Sequence, residues 1–190
     1  LILVLMGDIR ITGLHGIFGV SDIPYWGSVF ISIFTYVVVV NSFNLIDGVD
    51  GLAAGIGFLS SCAFGIWFIY ANHYPYAAMA FALAGALLGF LIFNFSPAKI
   101  FMGDSGSLVI GMFICVLAIK MIEFPIDQLD TFWVHVSKPV FAISALAYPL
   151  MDTLRVFIIR AVKGQSPFLA DRNHIHHKLL DCKFSHQKTV

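Results

Sequence analysis

Asn41-Ser42-Phe43-Asn44-Leu45-Ile46-Asp47-Gly48-Val49-Asp50-Gly51-Leu52 follows a wholly apolar run, and Asn41, Asn44, Asp47 and Asp50 recur in it at intervals of three. On an α-helix three residues turn the side chain by about 300°, so Asn41, Asn44 and Asp47 fall within an arc of about 120°. Such an arc is a polar rim at the end of an apolar helix. Gly48 and Gly51 weaken the helix there and let backbone approach a ligand closely, while Asp50 is placed to cap the next apolar helix. Two carboxylates, two amides and two glycines beside a bilayer surface point to a metal–diphosphate site. Taken alone, the same residues read first as an Asp N-cap with glycine turns.

The rest of the chain argues against reading the stretch alone. Among 190 residues, 59% are hydrophobic and only 12% charged, with a mean hydropathy of +0.89. That excludes an ordinary soluble domain and makes the chain an integral membrane protein. Zero net charge without a basic cluster argues against nucleic-acid binding. Cys62 and Cys115 lie in apolar runs and Cys182 in a polar tail, which gives neither a disulfide framework nor a metal-binding spacing. The sequence opens on Leu1 and closes on Ser185-His186-Gln187-Lys188-Thr189-Val190. It is read as a single membrane domain over 1–190, cut at both ends, whose first six residues finish a span rather than form a signal peptide.

Outward from the polar rim, hydropathy predicts an all-α polytopic membrane bundle of about five complete spans. Residues 7–27, with their glycines and Pro24, read as a small surface hairpin near the N-terminus. The spans follow at about Ser28–Phe43, Gly51–Tyr70, Tyr76–Phe95, Leu108–Ile122 and Pro139–Arg160. The Gly85–Gly89 stretch predicts close helix packing in the third, and the Ala- and Gly-rich spans also permit a homodimer. Counting crossings puts the 41–52 rim, the loop around Asp104 and the 161–190 tail on one side of the membrane. Lys99, Arg155, Arg160, Lys163, Arg172, Lys178, Lys183 and Lys188 lie on that side, against Arg10, Lys120 and Lys138 on the other. The positive-inside rule then makes the motif side cytoplasmic.

On that face the candidate site residues are Asn41, Asn44, Asp47, Asp50, Lys99, Asp104, Ser105, Arg172, His174, His176 and His177. Carboxylates with glycines suit Mg²⁺, with Mn²⁺ as a substitute, because Mg²⁺ takes few protein oxygens and fills its octahedron with water and substrate phosphates. Ser105-Gly106-Ser107 at the start of a helix offers free N–H groups to a phosphate. The bland role for Asp104 is an N-cap of that helix. Lys99 either holds a phosphate or snorkels to the interface. In Asp171-Arg172-Asn173-His174-Ile175-His176-His177, the histidines suit a phosphate or nucleotide clamp. A zinc site competes poorly, having no cysteine nearby and too tight a spacing, and a solvated histidine cluster is the plain alternative. An ion or metal transporter is the rival from another class, but transporters place such groups near the midplane, and here the acids sit at span ends, Asp152 being ambiguous.

The 41–52 stretch, the run Phe101-Met102-Gly103-Asp104-Ser105-Gly106-Ser107 and the His174-Ile175-His176-His177 box, in this order, resemble the polyprenyl-phosphate N-acetylhexosamine-1-phosphate transferases, also called glycosyltransferase family 4. The resemblance covers essentially the whole chain. It implies transfer of a sugar 1-phosphate from a UDP-amino sugar to a polyprenyl phosphate such as undecaprenyl phosphate, with release of UMP, in the presence of Mg²⁺, on the cytoplasmic face of the bacterial plasma membrane. By position Asp104 resembles that family's metal ligand, Asp47 and Asp50 the pair that shapes the nucleotide–metal pocket, and the His box its substrate-binding loop. The His-x-His-His form after Asp-Arg-Asn is more similar to the UDP-GlcNAc branch, which starts envelope polysaccharides, than to the UDP-MurNAc-pentapeptide branch. The family also carries an adjacent Asp-Asp pair upstream, which this sequence lacks, so the piece by itself is expected to be inactive.

Overall fold

In the computed structural model, residues 1–14, 19, 21–129 and 131–164 are described. Within them the order is α1 (Ile2–Leu5), α2 (Tyr25–Ile46), α3 (Leu52–Tyr70), α4 (Tyr74–Asn94), α5 (Gly103–Ile122), a 3₁₀ turn (Ile126–Gln128), α6 (Thr131–Val134), α7 (Lys138–Ala145) and α8 (Ala147–Val162). Helices α2 to α5 are each long and apolar enough to cross a membrane.

Lipid gives a backbone no water to bond, so polar side chains in a span must find partners within protein. Along α2 four of them turn back onto their own helix. Ser32 Oγ donates to Ser28 O, Thr35 Oγ1 to Ile31 O, Asn41 Nδ2 to Val37 O and Ser42 Oγ to Val38 O, all at 2.6–2.8 Å. The β-branched run of this helix stays helical despite its propensity because lipid leaves its backbone N–H and C=O groups no partners but one another.

Helix α3 packs along α4, and α2 along α5. The core between them is formed by Phe43, Ile46, Phe64, Trp67, Phe68, Ile114, Leu117 and Met121. Close approach depends on glycines of α3 and α5. A Cβ on Gly57 would lie 3.0 Å from Leu87 and 3.1 Å from Ile110, one on Gly65 would lie 2.9 Å from the Phe81 ring, and one on Gly111 would lie 2.8 Å from Val40 Cα. Gly85 and Gly89, expected to give α4 its close packing, have nothing within 4 Å of such a Cβ. Helix α4 instead buries Ala77, Ala80, Ala84, Leu87 and Asn94, and both glycines are exposed.

The fifth span is not one helix. Helices α7 and α8 meet at Leu146 and diverge by 75°. Pro149 has no N–H to give Ala145 O four residues earlier, so the ladder fails there. Ser60 Oγ of α3 supplies the missing donor to Ala145 O at 2.8 Å. After the bend, α8 crosses α2, burying Asp152, Thr153, Val156 and Arg160 and exposing Met151, Leu154 and Ile158.

Opposite the motif end, the surface hairpin reduces to an antiparallel bridge between Gly13 and Asp22, with Leu14 N–H bonded to Ser21 O and Ile23 N–H to Thr12 O, both at 3.0 Å. Glu123, just past α5, accepts from Thr12 N–H at 3.0 Å and from Thr12 Oγ1, which fastens the hairpin to the bundle.

Candidate active site at the motif end of the bundle

Helices α2 and α5 run antiparallel along a shared seam, so the end of α2 meets the start of α5. Asn44, in the last turn of α2, donates through Nδ2 to Asp104 Oδ1 and to Ser107 Oγ, each at 3.0 Å. Ser107 is buried and passes its own proton back to Gly103 O at 3.1 Å. Asn44 is therefore oriented from below by a helix-satisfied hydroxyl and presents its amide to an exposed carboxylate. The site rests on three residues that the sequence spaces 60 and 63 apart.

Asp47 is the C-cap of α2 and lies in the field of Asp104, with the Gly103 backbone N–H donating to its carboxylate. Burial, reinforced by the Asp104 charge and opposed by the Gly103 hydrogen bond, pushes its carboxyl up to about 6. A carboxylic acid whose folded-state value is raised contributes stability that is present below the unfolded value of about 4 and is lost as pH rises through about 6. Asp47→Asn is therefore expected to raise the melting temperature of the metal-free protein at pH 7.5 and to leave it unchanged below pH 4. Thermal unfolding followed in detergent at the two pH values checks this, and an equal shift at both would remove Asp47 as the titrating group.

Asp50 does not cap α3. The N-cap is Gly51, at φ +81°, with no side-chain cap. Asp50 Oδ2 instead accepts from Ala98 N–H at 3.1 Å, tying the turn after α2 to the loop after α4. Nor does Asp104 act as an N-cap: the N-cap is Met102, and Asp104 sits inside the first turn of α5, where a negative charge is favoured by the helix dipole. The helix starts at Gly103, five residues before the predicted Leu108.

The predicted residues divide accordingly. Asn44, Asp47 and Asp104 come together, and Asp50 stands behind them. Asn41 shares their helix but turns its amide back to Val37 O at 2.7 Å. Lys99 and Ser105 are exposed at the same end of the bundle. Arg172, His174, His176 and His177 lie outside the described residues. Asn94 was missed: it is 4% exposed, accepts from Gly51 N–H at 3.0 Å and donates to Ile100 O at 2.9 Å. Its signal was available, since it closes an apolar helix as Asn44 closes another.

Among the described residues no three His, Cys, Asp or Glu side chains form a metal cluster. A paired Asp47 and Asp104, with one carboxylate braced by an amide, nonetheless fits Mg²⁺, which needs only one or two protein carboxylates when substrate phosphates complete its shell. The mutual repulsion that helps raise the Asp47 carboxyl is what a divalent cation would relieve.

The comparisons with known proteins agree with this geometry. Residues 1–122 match the model of Glycosyl transferase family 4. The chain is 36% identical over 176 residues to a decaprenyl-phosphate N-acetylglucosaminephosphotransferase of Mycobacterium tuberculosis (strain CDC 1551 / Oshkosh), covering 86% of this chain and 43% of the relative. It is 30% identical over 192 residues to an undecaprenyl-phosphate alpha-N-acetylglucosaminyl 1-phosphate transferase of Escherichia coli (strain K12), covering 97% of this chain and 50% of that relative. The chain thus spans about half the length of the curated relatives it matches. The family model takes in α1 to α5, and with them both halves of the Asn44–Asp104 contact: the chain belongs to glycosyl transferase family 4.

Proposed function

We propose that this protein transfers N-acetylglucosamine 1-phosphate from UDP-GlcNAc to a polyprenyl phosphate, releasing UMP, at the cytoplasmic face of a bacterial plasma membrane, as a first step of envelope polysaccharide synthesis. The observation that carries the proposal is the placement of Asp47 against Asp104 where two membrane-length helices end. Membership of the family, and relatives whose names state a polyprenyl-phosphate acceptor and an N-acetylglucosamine phosphate group, supply the chemistry that such a site would serve.

Both substrates are anions, so the barrier is mainly one of charge and alignment. Asp47 and Asp104 would hold Mg²⁺, which when bound neutralises the diphosphate of the donor. Asn44 holds Asp104 in place through the hydrogen bond to its Oδ1. Asp50 and Ala98 fix the turn that carries Asp47 against the loop that leads into α5. An oxygen of the lipid phosphate then forms a bond to the sugar-linked phosphorus as the bond to the UMP oxygen breaks. The exposed first turn of α5 faces the same end, and its N–H groups beyond that of Gly103, which Asp47 takes, suit a phosphate oxygen. Lys99, Arg172 and the histidines 174, 176 and 177 are the proposed donors to the nucleotide and sugar. Acids at helix ends bring an aqueous nucleotide beside a lipid head group, which a site at the bilayer midplane would not do.

The experiment is transfer of radiolabelled GlcNAc 1-phosphate to undecaprenyl phosphate by membranes carrying the gene-encoded protein. Label is expected in a lipid-extractable, acid-labile product with one UMP released per label transferred, and UDP-MurNAc-pentapeptide is expected to give none. Labelling of lipid from the pentapeptide donor, or none from either donor, would overturn the reading.

A further inference from the structure

The side chain of Asn94 ends α4 and spends both of its polar atoms on backbone. Oδ1 accepts from Gly51 N–H, 43 residues away, at 3.0 Å. Nδ2 donates to Ile100 O, six residues on, at 2.9 Å. The two partners belong to the two segments that carry the site's acids. Gly51 closes the turn holding Asp47 and Asp50, and Ile100 opens the run that enters α5 at Gly103 and Asp104.

The chemistry of both contacts is set by the backbone. Gly51 caps α3 at φ +81°, and N–H groups at a helix start have no acceptor within their own helix. Asn94 Oδ1 is that acceptor. Ile100 lies in a loop without regular structure, where a carbonyl needs a donor from outside. Only a side chain with one acceptor and one donor serves both, and at 4% exposure water is a poor replacement. A second tie runs beside the first, from Ala98 N–H to Asp50 Oδ2 at 3.1 Å. Each amide atom thus has a backbone partner, and at 4% exposure the side chain offers a ligand little access.

We propose that Asn94 is a positioning residue: a strut between the Asp47–Gly51 turn and the Ile100–Asp104 entry of α5 that fixes how far Asp47 stands from Asp104. The inference rests on the reading of those two acids given above. Its consequence for rate follows from alignment, since a displacement of about 1 Å at reacting groups lowers rate by about 10²-fold, and the strut acts one step removed from them.

The test uses the gene-encoded protein in nanodiscs, with Asn94→Ala and Asn94→Asp. Hydrogen–deuterium exchange is read without substrate or metal. In Asn94→Ala the Gly51 amide is expected to exchange at least about tenfold faster, as for a protecting bond opened locally. In Asn94→Asp the acceptor for Gly51 N–H survives, so Gly51 stays protected, while loss of the donor to Ile100 O frees the 95–100 loop and the Ala98 amide, held there by Asp50 Oδ2, speeds up. In the transfer assay kcat falls roughly 10- to 30-fold in both variants, with KM for the UDP-sugar unchanged within about threefold. Unchanged exchange with a rise in KM alone overturns the proposal in favour of a direct nucleotide contact. Unchanged exchange with unchanged kcat overturns it outright. Should Asn94→Ala give no cooperative melt, the Gly51/Ala98 split in Asn94→Asp decides, its presence supporting the strut and its absence refuting it. A wild-type protein without transferase activity would sink the proposed reaction while leaving the exchange result to be read by itself.

Discussion

Asp104→Asn is expected to lower the rate of GlcNAc 1-phosphate transfer by about 10³-fold, the order seen when one preorganised electrostatic group is removed from a polar transition state. The substitution preserves shape and leaves an oxygen for Asn44 Nδ2, which now donates to Asp104 Oδ1 at 3.0 Å. What it removes is charge. A single remaining carboxylate, Asp47, would then face the donor diphosphate, and the affinity for Mg²⁺ falls with the ligand count. The fold has little stake in the change. Asp104 is exposed, and its favourable place at the start of α5 contributes only about 0.3–1 kcal/mol, offset in the metal-free protein by relief of the repulsion with Asp47. Melting temperature without metal should therefore barely move, while the rise in melting temperature on adding MgCl₂ should disappear. The double variant with Asp47→Asn should be hardly slower than either single one, because the two acids act as a unit. A rate within threefold of the parent would show that Asp104 neither holds the metal nor meets the substrate.

How much of this was legible beforehand depends on which force writes the signal. The four continuous spans were readable because lipid demands about twenty apolar residues in a row, and α2 to α5 meet that demand. Their ends were less so. The run Gly103-Asp104-Ser105-Gly106-Ser107 looks like a loop by composition, yet α5 begins there, since a helix end at the interface needs no apolar residue and Ser107 bonds back to Gly103 O. Pro149 was in plain view and its consequence was not drawn: a proline in the fifth span removes one ladder bond, and the 75° bend follows. Asp50 misled because Asp before an apolar run usually caps, and only tertiary structure reveals that Ala98 N–H claims it. Gly85 and Gly89 misled in the same way, since small residues permit close packing without saying which helix face receives it. The convergence of Asn44 and Asp47 on Asp104 was read from helical arithmetic plus a count of crossings, and Asn41, on the same arc, failed to join because its amide found Val37 O first.

Gly111→Val joins packing to chemistry and is expected to destabilise the bundle strongly. A Cβ at Gly111 would lie 2.8 Å from Val40 Cα, 3.3 Å from Val40 O and 3.3 Å from Phe43 Cβ. Backbone atoms cannot rotate aside as a flexible side chain can, so α2 as a whole must back away from α5. The seam that opens is lined by Phe43 and Ile114, both fully buried, and overpacking of such a core costs about 1–3 kcal/mol for the first carbon. The two further methyls of valine carry the loss beyond that range. At about 2–4 °C per kcal/mol, a loss above about 3 kcal/mol should lower the melting temperature by at least roughly 6–12 °C. The displacement reaches the site by geometry alone. Val40 lies about one helical turn before Asn44, and Gly111 two turns after Asp104, on the same faces that meet. Separating the helices at Gly111 lengthens the contact from Asn44 to Asp104, and a shift of about 1 Å there lowers rate by about 10²-fold in the fraction that remains folded. Gly89→Ala is the matched control, because a Cβ there meets nothing within 4 Å and alanine is the better helix former by about 1 kcal/mol. It should leave activity unchanged and raise stability slightly. If Gly111→Val melts within 1 °C of the parent, the α2–α5 seam does not set the separation of the acids, and the placement of Asp47 against Asp104 would have to be enforced from the loops alone.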